Sequence, residues 1–158
     1  MNILVLCTGN SARSILLEAI LNHLGEGRVR AFSAGSKPAG AVHPQSLKLL
    51  DAQGYDQASA RSKSWDEFAA ADAPRMDMVI TVCGSAAGET CPVWPGAPLR
   101  AHWGVEDPAA LPEADWDAGF ANVFGLLERR ARALLDLRLD GMPADELKSQ
   151  LDRIGTIA

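Results

Sequence analysis

The run NILVL at residues 2–6 constrains this chain more than any other feature. It is short and continuously apolar, whereas a strand with one wet face alternates apolar and polar residues. A continuous run suits a parallel strand covered on both sides. Six small or polar residues follow it, and then the period changes. From Ala12 onward, Leu17, Ile20, Leu21 and Leu24 recur at helical spacing, and Gly25 offers a stop. A strand, a tight loop and a helix therefore open the chain.

The same alternation continues. RVRAFSAG (28–35) reads as a second strand near an edge, and residues 44–53, entered through Pro44, read as a second helix. A short helix is expected around 64–70. MDMVITV (76–82) is the third strand and runs directly into Cys83, and PLRAHW (98–103) is the fourth. Phe120, Phe124, Leu127, Ala131 and Leu134 mark one face of a long helix, and residues 142–155 form a last one between Pro143 and Gly155. Strands alternating with helices predict an α/β domain around a mainly parallel sheet of four strands. At 158 residues the chain is expected to be a single domain.

Composition narrows the function. The formal net charge of −5 disfavours a nucleic-acid surface, which needs clustered Lys and Arg. Arg129, Arg130 and Arg132 form the one small basic group, and their spacing reads as a solvated helix face. No apolar run approaches the roughly 18 residues of a membrane span, and the N-terminus enters a strand without a leader, so the expected location is cytoplasmic. The 3 cysteines do not form a secreted disulfide framework.

Where those cysteines fall is informative. Ligands of parallel sheets bind beyond the carboxyl ends of the strands. Cys7 follows the first strand, Cys83 follows the third, and Asp107 lies in the loop after the fourth. Residues 7–13, CTGNSAR, place five residues between a thiol and an arginine. Gly9 and Asn10 tolerate left-handed geometry, so Thr8, Gly9, Asn10, Ser11 and Ala12 can curl with their N–H groups inward. The helix start adds the positive end of its dipole, and Arg13 adds a planar fork suited to two oxygens of a tetrahedral oxyanion. These fields are expected to depress the Cys7 pKa below the roughly 8.5 of a free cysteine. Ser14 is placed to donate to the sulfur.

The segments VLCTGNSARS, SAG (33–35) and EDPA (106–109) resemble the low-molecular-weight protein tyrosine phosphatase superfamily. Within it, TVCGSAAGETCPVWPG and HWGVEDPAA are similar to the arsenate reductase branch. The resemblance covers about residues 1–135 and leaves 136–158 as a helical extension, expected to pack on the core or to serve a dimer contact. It implies a four-stranded parallel sheet flanked by helices, Cys7 as nucleophile, Arg13 and the loop amides as oxyanion site, and Asp107 as acid. In that branch Cys83 attacks Cys7, Cys91 attacks Cys83, and an external reductant takes the last disulfide. The resemblance leaves that reductant open among thioredoxin, glutaredoxin with glutathione and another low-molecular-weight thiol, and no bound cofactor is implied. Such a relay requires the 83–91 segment to approach Cys7.

The alternatives are a phosphatase acting on small phosphate esters and an oxyanion-binding redox sensor. Phosphotyrosine enzymes of the superfamily carry aromatic residues after their Asp-Pro, whereas Ala109 and Ala110 follow Asp107-Pro108 here. That difference favours arsenate or a phosphate-like anion. Cys83 and Cys91 also have the bland reading of two unconnected structural thiols. Ala12 stands where many relatives carry a second loop cysteine. Glu18 and Ser33 match a potassium site of some relatives, but SKSWDEF replaces its third stretch, so no metal is expected. His102-Trp103 matches a family pair that supports the acid loop or packs in the core. His23, His43, Trp94 and Trp116 read as surface or packing residues.

Overall fold

The computed structural model describes residues 1–84, 94 and 98–158. Four strands, β1 (Asn2–Leu6), β2 (Arg30–Ala34), β3 (Met78–Thr81) and β4 (Leu99–His102), form one sheet in the order β2-β1-β3-β4. Every pairing is parallel. Among the described residues the helices are α1 (Arg13–Gly25), α2 (Pro44–Ala52), α3 (Trp116–Leu135) and α4 (Ala144–Ile154). A 3-10 turn at Trp65–Phe68 takes the place of the short helix expected at 64–70.

Side-chain alternation explains the apolar runs. Ile3 and Val5 of β1, with Met78 and Ile80 of β3, enter the larger core beside α1, α3 and α4. Leu4, Leu6 and Val79 point the other way, into a second cluster with Ala34, Phe68, Met76 and Trp94. Both faces of the sheet are therefore covered. Burying each such aliphatic side chain stabilises the fold by roughly 1.5–3 kcal/mol. The edge position expected for the second strand is also found. Asn22 pairs with the exposed edge of β2, donating to the Ala31 carbonyl at 3.0 Å and accepting from its N–H at 2.9 Å. One side-chain amide thus occupies hydrogen-bonding groups that would otherwise invite another strand.

Two details differ from the sequence reading. The left-handed turn after α1 falls on Glu26 (φ 47°) and Gly27 (φ 87°), one residue beyond the expected stop at Gly25. Arg130 is not part of a solvated face: it is 5% exposed, although it lies between Arg129 and Arg132. Helical rotation carries it inward with Leu127, Ala131 and Leu134. The 136–158 extension packs on the main core through Leu147, Leu151 and Ile154 of α4. No described helix is long and apolar enough to cross a membrane.

The strand order reverses at β1, whose chain neighbour β2 lies on one side and β3 on the other. The crevice past the carboxyl ends of β1 and β3 is thus the switch point where such sheets bind ligands.

Candidate active site

Cys7 and Cys83 meet in that crevice. Both are buried, at 5% and 3% exposure. The Cys83 sulfur accepts from the Thr8 backbone N–H at 3.3 Å and lies 3.7 Å from the Thr8 hydroxyl. The Cys83 side chain also lies near enough to Cys7 to push the Cys7 pKa up. Cys83, the first residue of the 83–91 segment, thus touches the residue that follows Cys7. Cys91 lies outside the described residues.

The loop between Cys7 and Arg13 is held by its carbonyls. The Thr8 carbonyl accepts from Lys37 N–H at 3.0 Å. The Gly9 carbonyl accepts from Ala39 N–H at 2.9 Å and from the Ser62 hydroxyl at 3.2 Å. The Ser11 carbonyl accepts from His43 N–H at 3.0 Å and from the Ser46 hydroxyl at 3.1 Å. With these oxygens engaged by the surrounding chain, the loop is pinned from its outer side, as an anion nest requires. Helix α1 starts behind it without a side-chain cap, which leaves its first N–H groups to a ligand.

Asn10 is the left-handed residue of the loop (φ 46°), whereas Gly9 is not. Its buried amide donates to Ser14 Oγ at 2.8 Å and accepts from Lys63 N–H at 2.9 Å. Ser14, expected to donate to sulfur, serves instead as the acceptor for Asn10. Gly35, the last residue of SAG, lets the neighbouring chain close on the loop. A Cβ there would run into the carbonyl oxygens of Thr8 and Cys7.

Arg13 joins the cradle to the acid loop. Its Nη1 donates to the Val105 carbonyl at 3.0 Å, and its Nη2 lies 3.8 Å from Asp107 Oδ2. Its Nε is buried and has no partner among the described residues. An oxyanion in the cradle would satisfy that donor. Asp107 also caps the turn that follows it, accepting from Ala109 N–H at 3.0 Å, and its side chain is 43% exposed. It is both a turn residue and a carboxylate facing the cradle.

The expected acidity of Cys7 is not seen in this arrangement. The hydrogen bond with Cys83 pushes its pKa above the ordinary thiol value, and burial adds to the rise. Arg13 and the Gly9 N–H act in the opposite direction. An oxyanion that displaces the Cys83 sulfur from the Thr8 amide would remove the largest upward influence.

The sequence reading missed Lys63. Its ammonium is buried 3.7 Å from Glu18 Oε2 and 3.3 Å from Ser33 Oγ, and it donates to the Arg61 carbonyl at 3.1 Å. Burial raises the Glu18 pKa and lowers that of Lys63, and each charge opposes the shift of the other. The atoms matched to a potassium site thus hold an internal cation, and they do not fit the metal ion as well. The signal lay in SKSWDEF, where Lys63 enters.

The remaining candidates are supporting residues. His43 Nδ1 accepts from Gln45 N–H at 3.1 Å and so caps α2. His23 stacks on Tyr55 with ring centroids 4.0 Å apart. His102 Nδ1 lies 2.7 Å from the Thr81 hydroxyl, and the Trp103 indole donates to the Leu151 carbonyl at 3.0 Å. Trp94 is buried against Trp65, and the Trp116 indole donates to the Leu111 carbonyl at 2.9 Å.

This geometry has relatives. An arsenate reductase of Bacillus licheniformis is 39% identical over 105 residues, which span 66% of this chain and 71% of that protein. One from Halalkalibacterium halodurans is 37% identical over 111 residues, 70% of this chain and 76% of its own length. Among solved structures, an arsenate reductase in its phosphate-binding state superposes with a TM-score of 0.69 at 27% identity, covering 85% of this chain and 95% of its own. A thioredoxin-dependent arsenate reductase of Corynebacterium glutamicum gives 0.63 at 25% identity, over 84% of this chain and 59% of that one. The model of the low molecular weight phosphotyrosine protein phosphatases matches residues 2–151, into α4. With that match over nearly its whole length and a four-stranded parallel sheet to go with it, the chain belongs to the low molecular weight phosphotyrosine protein phosphatase family.

Proposed function

We propose that this protein is an arsenate reductase that converts arsenate to arsenite. The observation that carries the reading is the second sulfur in the crevice, Cys83 on the Thr8 amide beside Cys7. A phosphatase needs water at its second step. A reductase needs a thiol there.

In the first step the Cys7 thiolate attacks arsenic, and one arsenate hydroxyl leaves as water after taking a proton from Asp107. Arg13 and the loop amides hold the remaining oxygens. In the second, Cys83 attacks the Cys7 sulfur. The sulfur–arsenic bond breaks, its electron pair stays on arsenic, and arsenite leaves as the Cys7–Cys83 disulfide forms. Two electrons have then passed from two thiols to arsenic. Cys91 next attacks Cys83, freeing Cys7, and thioredoxin reduces the Cys83–Cys91 disulfide. The named relatives support the overall reaction, and the thioredoxin-dependent structural neighbour supports a thiol reductant of that kind.

The test couples the purified protein to thioredoxin, thioredoxin reductase and NADPH. Arsenate should drive NADPH oxidation, and Cys83→Ser should stop multiple turnover. The same variant should retain any slow hydrolysis of para-nitrophenyl phosphate, which uses only the cradle and the acid. A Cys83→Ser variant that reduces arsenate at the parent rate with thioredoxin alone would overturn the relay.

A further inference from the structure

The buried guanidinium of Arg130 has no role in the chemistry above, and it contacts the chain on both sides of the molecule's last helix. From α3 its Nη1 donates to the Trp103 carbonyl at 2.9 Å and to the Gly104 carbonyl at 3.3 Å. Its Nε and Nη2 both donate to the Ile157 carbonyl, at 3.0 and 2.8 Å. No carboxylate within salt-bridge distance of Arg130 is found among the described residues. A cation buried this way is held by carbonyl dipoles, and losing it would leave those carbonyls without their donor.

The carbonyls it holds start the acid loop. Residues 103 and 104 leave β4, and the next residue is joined to both halves of the crevice. Val105 N–H donates to the Val82 carbonyl at 3.1 Å, one residue before Cys83, and the Val105 carbonyl accepts from Arg13. Asp107 follows two residues later. The other end of the clamp is fixed independently. Gly155 lies so close to β4 that a Cβ would meet the His102 carbonyl at 2.7 Å and the Trp103 ring at 2.9 Å. The Trp103 indole bonds to α4 as well.

We propose that Arg130 is a positioning residue for the general acid, clamping the acid loop to the segment after α4 so that Asp107 faces the cradle. The extension thereby serves catalysis at a distance, beyond packing on the core. This rests on the reading of Asp107 as the acid. A misplacement of about 1 Å at a reacting group costs on the order of 10²-fold. Arg130→Met should therefore lower the single-turnover rate with arsenate about 10- to 100-fold, with KM for arsenate nearly unchanged.

A double-mutant cycle with Asp107→Asn tests it. If Arg130 acts through Asp107, Arg130→Met should change the rate of Asp107→Asn by less than about twofold, because the acid is already gone. Arg130→Lys, which keeps the charge but not the fork, should be intermediate, and it stands in for Arg130→Met if that variant does not fold. Melting curves identify the folded variants. Equal rate losses in the parent and Asp107→Asn backgrounds would overturn the proposal, as would a folded Arg130→Met enzyme with the parent rate. If Asp107→Asn itself ran at the parent rate, the acid assignment would fall first, and the clamp with it.

Discussion

The cradle and the acid loop face each other across the crevice, yet they are fastened in opposite ways. Each cradle carbonyl at Gly9 and Ser11 has two donors, one from backbone and one from a serine hydroxyl. On the acid loop, one arginine serves both Trp103 and Gly104, and Val105 has Arg13. On the proposed mechanism the cradle must keep several amides aimed at an anion, and redundancy would make it insensitive to any one contact. The carbonyls of the acid loop rest on single long side chains, so one substitution there can shift the loop. The difference predicts where point mutations should be felt.

Arg13 serves both regions, and its loss should be the most severe. Arg13→Lys replaces a planar fork with a point charge, removing bidentate contact with the oxyanion and the fixed geometry of the bond to Val105. Removing one donor to a developing oxyanion typically costs about 10²- to 10³-fold. Arg13→Lys should lose at least that much in single-turnover rate while the fold survives, as pre-steady-state arsenate reduction and circular dichroism would show. A variant within tenfold of the parent rate, on the order of 1.4 kcal/mol, would remove the guanidinium from the centre of the comparison.

A second experiment strikes behind the cradle. Lys63 fixes Asn10 through its backbone N–H and pairs with Glu18 through its ammonium. Lys63→Met leaves the Glu18 carboxyl buried without its cation, and breaking such a pair costs about 3–5 kcal/mol. The pH dependence has a definite sign. Burial already raises the Glu18 pKa, and removing Lys63 takes away the largest opposing influence. The folded variant therefore favours protonated Glu18 more than the unfolded chain does. Its stability contribution is full below the unfolded carboxylate pKa and is lost as pH rises through the raised folded value. Urea melts from acid to neutral pH should show Lys63→Met closing on the parent at the acid end. A constant gap across that range would mean that Glu18 does not titrate against the fold.

How much of this was legible follows from distance along the chain. The cradle is a contiguous stretch between an apolar run and an amphipathic one, so its place between β1 and α1 was readable from local rules, although the bonding of Ser14 and the conformation of Gly9 were not. The sheet was readable too, because Ile3 and Val5 against Leu4 and Leu6 encode two covered faces. The supports were not. Lys63 meets Glu18 and Ser33 only after the sheet has formed, and Arg130 reaches Trp103 across 27 residues. Arg130 even carried a misleading local signal, since basic neighbours suggested solvent. The acidity expected of Cys7 failed for the same reason. Arg13 and the loop amides were visible in sequence, but the Cys83 sulfur arrives from 75 residues beyond Thr8.

The smallest effect is expected where redundancy is greatest. Ser46 is fully buried, and its hydroxyl donates to the Ser11 carbonyl at 3.1 Å. A buried hydroxyl would ordinarily suggest a costly deletion. Here Ser46→Ala removes the donor and leaves no unsatisfied acceptor, because His43 N–H still donates to the same oxygen at 3.0 Å. The loss should therefore be that of one ordinary hydrogen bond, about 0.5–1.5 kcal/mol. The catalytic penalty should stay below about threefold, less than 1 kcal/mol on the activation scale. His43 keeps its own place by capping α2 and by packing against Trp116 and Phe120, with ring centroids at 4.6 and 5.1 Å. Urea denaturation and the single-turnover rate with arsenate measure the two quantities separately. A rate loss of tenfold or more with an ordinary stability loss would show that the second donor sets the aim of the amides, so that the cradle would be no more redundant than the loop opposite it.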